Sequence, residues 1–103
     1  LTIAAGAETA TDLTTLDGFT TVAVGAAAVT DISGTEAQVS AVVDAGAAIT
    51  TATNYTSTLS DSDIDEDELD DILADTSGVV TATSTGETAA VLVTALARGA
   101  APV

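Results

Sequence analysis

The chain has 103 residues and carries sixteen Asp and Glu against a single cation, Arg98, for a net charge of −15 with no His and no Cys. Nothing in it can neutralise phosphates, so nucleic acid is excluded as a partner, and anionic membrane surfaces repel it. Disulfides, thiolate and imidazole catalysis and thiolate-bound zinc go with the missing side chains.

Leu1 is not an initiator Met, which predicts a chain processed or excised from a longer polypeptide, and the first residues lack the basic segment and apolar run of a secretory leader. Residues 1–8 are Ala-rich and predict a strand. Leu13 and Leu16, three apart between Thr11 and Asp17, predict a short helix stopped by Gly18. Residues 20–32, rich in Thr and Val around Gly25, predict one strand with a bulge. Thr35 is an N-cap candidate for a helix with Glu36 in its first turn, Val39, Val42 and Val43 on its apolar face, and Gly46 as its stop.

The same order then returns. Residues 49–59, with five Thr around Tyr55, predict a strand, and Ser62 or Asp63 is placed to cap a helix whose apolar face is Leu69, Ile72 and Leu73. Gly78 opens the β-branched run 79–83, Gly86 ends it, and residues 87–98 predict a last helix closed by Gly99. The best apolar window, residues 89–97, is too short to span a membrane, which predicts a soluble product.

Glycines in the two halves match at a spacing of about 53: Gly25 with Gly78, Gly34 with Gly86, Gly46 with Gly99. Each period holds two helix-plus-strand halves, so the elementary length is about 26 residues, in the range of short α/β repeats that bury their faces only by stacking. The apolar residues include 22 Ala but one Phe, one Tyr and no Trp or Met, and such small side chains fill only thin layers. The fold class expected is therefore α/β: a short solenoid-like repeat with a parallel sheet on one side and short helices on the other. The domain expectation is a single domain over residues 1–103, made of about two repeat units near 9–46 and 47–99, as a slice of a longer array.

The run from Asp67 through Leu69, Ile72, Asp75-Thr76-Ser77-Gly78 to Val80 resembles the Ala/Thr/Asp-rich repeat modules of giant cell-surface proteins of cyanobacteria and other marine bacteria. Residues 11–17 and 29–37 resemble two further pieces of that module, so that the likeness covers most of residues 9–98. The resemblance implies an extracellular, non-catalytic structural repeat, in proteins that often carry calcium and are exported without a cleaved leader. The acidic cluster and a shorter second strand depart from the pattern.

Three motifs compete with that reading. Asp61, Asp63 and Asp65 occupy the first three ligand positions of a calcium loop, but Glu66 stands where the turn glycine belongs and Ile72 where the bidentate Glu belongs, so they are calcium candidates without a complete loop. The alternative is that these acids begin a helix, where the N-terminal dipole favours negative charge. Paired carboxylates for glycosidase work lack an apolar or aromatic setting, and serine chemistry lacks a base. Asn54-Tyr55-Thr56 is a glycosylation sequon placed mid-strand by the prediction, and Arg98 complements the end of the last helix.

The functional expectation is thus a non-catalytic structural module of an extracellular, surface-layer or adhesin-type assembly. Its partners are like repeats or identical subunits; nucleic acid and membrane insertion are excluded. The alternative is a small coat, tail or filament subunit of a marine virus or pilus-like fibre, located on a virion surface. Self-repulsion at this charge predicts stabilisation by salt or divalent cations, and calcium is the one cofactor the sequence allows.

Overall fold

The computed structural model describes residues 1–62 and 66–83. Its elements are β1 (Gly6–Thr9), α1 (Ala10–Phe19), β2 (Val24–Ala26), β3 (Val29–Gly34), α2 (Glu36–Asp44), a 3-10 turn (Gly46–Ala48), β4 (Ile49–Thr51), β5 (Thr56–Leu59), α3 (Glu66–Asp75) and β6 (Val80–Thr81). The architecture is mixed α/β with parallel pairing throughout. One sheet has four strands in the order β1-β3-β5-β6, and a second pairs β2 with β4.

Two segments that predict single strands each divide. Residues 20–32 yield β2 and β3, separated by a turn at Ala27 and Ala28, and residues 49–59 yield β4 and β5, separated by a turn at Thr53 and Asn54. In both cases the second strand joins a different sheet from the first. Composition is uniform across these turns, Ala and Thr on either side, so no Gly or Pro marks the corner. The expectation of one sheet facing helices is corrected accordingly, because the short β2–β4 sheet lines the core as well.

The helices begin where side chains satisfy free backbone donors. Thr9 Oγ1 accepts the Asp12 N–H at 3.2 Å and starts α1, which runs on through Gly18 to Phe19 instead of stopping at the glycine. Thr35 starts α2 with a reciprocal box: its hydroxyl accepts the Gln38 N–H, and Gln38 Oε1 accepts the Thr35 N–H at 3.0 Å. The third helix is described from Glu66; residues 63–65, which join it to the Ser62 or Asp63 cap expected from sequence, lie outside the described residues, as does the expected helix over 87–98.

Alternation along the strands sorts side chains between core and solvent. In the four-stranded sheet, Glu8, Ile32, Ser57 and Val80 share one register row, and Ile32, Ser57 and Val80 are buried on it. The adjacent row is Thr9, Ser33, Thr58 and Thr81, with all but the half-buried Ser33 exposed. Leu13, Val39, Val42, Leu69, Ile72 and Leu73 from the helices close over the core-facing row, with Val24, Ala26 and Ile49 from the second sheet. Helices α1, α2 and α3 lie side by side, each packed on the next.

Among the described residues the two fully buried polar side chains, Ser57 and Thr76, both have partners. Ser57 Oγ donates to the Ile32 carbonyl at 2.7 Å, and Thr76 Oγ1 donates to the Tyr55 carbonyl at 2.5 Å while accepting the Gly78 N–H. Ser77 N–H then bonds the Thr53 carbonyl, and Ser57 N–H the Val79 carbonyl, which seats residues 76–80 against the β4–β5 connection. A Cβ at Gly78 would overlap the Tyr55 and Asn54 carbonyl oxygens, fixed backbone that cannot yield. Gly78→Ala is therefore expected to cost about 1–3 kcal/mol, the range for steric overpacking, read as a lower denaturation midpoint in urea at unchanged slope.

Candidate functional site

The strongest concentration of interacting polar side chains lies along the seam between α2 and α3. Glu36 and Asp44 stand in the first and last turns of α2, and Asp71 and Asp75, four apart, stand on one side of α3. Tyr55, buried to 1 % exposure just before β5, sends its hydroxyl to this seam and donates to Asp75 Oδ2 at 2.7 Å. Ser40 Oγ donates to Glu36 Oε1 at 2.6 Å, which holds the glutamate along its own helix.

The charges in this seam act on one another. Partial burial, a hydrogen bond with the Asp44 carboxyl and the negative charges of Asp44, Asp75 and Glu36 together hold the Asp71 carboxyl above its ordinary value. A hydrogen bond between two carboxyls requires a proton between them, so the Asp44–Asp71 contact is strongest in acid. Burial, the bond to Asp75 and the nearby carboxylates push the Tyr55 phenol far above its ordinary range, so it remains a donor through alkaline conditions. The only side-chain cation in the sequence, Arg98, falls outside the described residues, so no described side chain offsets the seam's charge.

Of the three calcium candidates, Asp61 is the one within the described residues. Its Oδ1 accepts the Glu36 N–H at 3.0 Å and so satisfies a free donor in the first turn of α2 from a connection 25 residues further along the chain. Asp63 and Asp65 lie outside the described residues. Among the described residues no three acidic side chains converge where a metal ion would be held. Also among them, no helix is long and apolar enough to cross a membrane.

Asn54 occupies an exposed turn and not the middle of a strand, because the strand expected over residues 49–59 breaks there. Its sequon partner Thr56 donates to the Asp31 carboxylate at 2.6 Å. A shallow depression of about 290 Å³ lies between the α1–β2 turn and Ala47 and Ala48, lined in part by Val22, which is 63 % exposed.

The seam escapes a reading of the sequence because its members come from three separate segments. The spacing of Asp71 and Asp75 at i and i+4, behind the apolar trio of α3, was the signal present; what it lacked was the alignment of α3 beside α2. Comparison with protein-family models, curated proteins and solved structures gives no match.

Two outcomes follow from the seam. Because the folded value of Asp71 lies above the ordinary 3.8, its contribution is fully present below that pH and is lost as pH rises through the folded value. Asp71→Asn should therefore stabilise the protein near neutral pH by about 0.2–1 kcal/mol, the range for exposed charge pairs, with the gain shrinking in acid, as measured by urea melts across pH. Asp61→Ala should cost about 0.5–2 kcal/mol through loss of the cap, equally in calcium and in chelator at constant ionic strength.

Proposed function

We propose that this chain is a non-catalytic structural repeat module of an extracellular or surface-layer assembly, akin to the Ala/Thr/Asp-rich modules of giant bacterial cell-surface proteins, and that it folds as a short solenoid-like stack. The observation that carries the reading is the pairing distance. Asp31 meets Thr56 and Ile32 meets Ser57 across 25 residues, and in the second sheet Val24 meets Ile49 at the same interval. Each interval holds a strand, a capped helix and a second short strand before the chain returns beside its starting point. Such a unit buries its core-facing side only against neighbours, and stability then accumulates by stacking.

The mechanism is geometric. A stack of this kind presents a polar sheet face lined by Thr58 and Thr81 on one side and acidic helices on the other, and both stay hydrated. Like units, in the same polypeptide or in identical subunits, extend it by continuing the parallel ladders. The charge of −15 keeps separate stacks apart in low salt and lets them approach in salt-rich or calcium-containing surroundings.

The test is the intact mass of the polypeptide isolated from its natural source. A product of several hundred residues carrying further copies of the 25-residue interval is expected. A product near 10 kDa overturns the array and favours the small filament, tail or coat subunit on a virion surface.

A further inference from the structure

We infer that the β1 edge of the four-stranded sheet is closed to the addition of a strand from a second copy of this chain, and that Glu8 closes it. The inference rests on the stacking reading above and assigns that stack a closed end.

Among the described residues β1 has a neighbour on one side only, β3, and an edge strand of this kind offers unpaired backbone donors and acceptors to any other chain. Two features oppose such pairing, an irregular ladder in which β3 carries the extra residue Thr30 and the placement of Glu8. The register against β3 shifts between Gly6 and Ala7, where Gly6 adopts φ +137°, so the edge is not a straight template. Glu8 then stands in the same row as Ile32, Ser57 and Val80, the row that faces the core. It is half-buried, and among the described residues its carboxylate has no hydrogen bond or ion pair.

At a free edge the Glu8 carboxylate keeps water on its open side. A strand laid against β1 would extend the core-facing row past Glu8 and take that water away, leaving an unpaired charge between apolar layers. The position thus tolerates a charge only while it is terminal. By contrast β6 has Val80 on the core-facing row and Thr81 on the outer row, with no charge on either. Among the described residues the sheet is therefore closed by charge at β1 and carries no such charge at β6.

The experiment uses the full 103-residue chain. Sedimentation equilibrium and amide hydrogen exchange over a range of concentrations are compared for the wild type, Glu8→Ile, Glu8→Val and Glu8→Lys. Expected is self-association at least about tenfold tighter in the Ile and Val variants than in the wild type, accompanied by concentration-dependent protection of amides 6–9. In Glu8→Lys, which keeps a charge in the row, no concentration-dependent protection appears at those amides. Using two apolar variants guards against a folding defect in either one.

The inference is overturned if the wild-type amides 6–9 become protected with concentration, or if both apolar variants associate no more tightly than the wild type. Failure of the stacking reading looks different. The polypeptide from its natural source then has an intact mass near 10 kDa, whatever happens at residue 8.

Discussion

Everything in this fold depends on the narrowness of the space between its layers. A parallel strand, a ten-residue helix and a second short strand lie so close that Ala10, Val24, Ala26, Val39 and Val42 suffice to fill the gap, and no aromatic ring except Tyr55 is buried within it. Close layers leave no room for unpaired polar groups. Hence the caps at Thr9 and Thr35, the serine bonded to a carbonyl in the core-facing row, and the glycine at which a Cβ would overlap the neighbouring backbone. Each is a local answer to the same crowding.

The helices were legible because their signals are local. Thr35, Glu36 and the Val39/Val42 pair announce α2, and Leu69, Ile72 and Leu73 announce the buried face of α3, all within one or two turns of chain. The strands were only half legible. Thr and Val mark residues 20–32 and 49–59 as extended, but the corners at Ala27 and Asn54 rest on tertiary pairing, and nothing in a uniform Ala/Thr composition distinguishes a strand that bulges from one that turns into a second sheet. The same limit hid the seam. Tyr55, Asp44 and Asp71 become neighbours only once strands 25 residues apart are paired, and the acidic cluster that stands out by eye contributes Asp61 as a helix cap.

Charge is distributed by layer as well as by amount. The helices carry Glu36, Asp44, Asp71 and Asp75 along one seam, while the outer row of the sheet carries hydroxyls and is interrupted by few acids. Repulsion is thus concentrated where helices meet, and the Tyr55 hydroxyl, donated to Asp75, moderates it locally. On the proposed reading the sheet supplies continuity along the stack, and the helical side sets how closely stacks approach one another.

Tyr55 gives the molecule an optical property of its own. It is the only tyrosine in a chain without tryptophan, it is buried, and its hydroxyl is bound to a carboxylate. Ultraviolet absorption and emission from this protein therefore report a single address, the junction of β5 with α3, and an acceptor bonded to the excited phenol dims that signal in the folded state. Loosening of this one joint becomes visible as a brightening, with no label attached and no tryptophan to mask it.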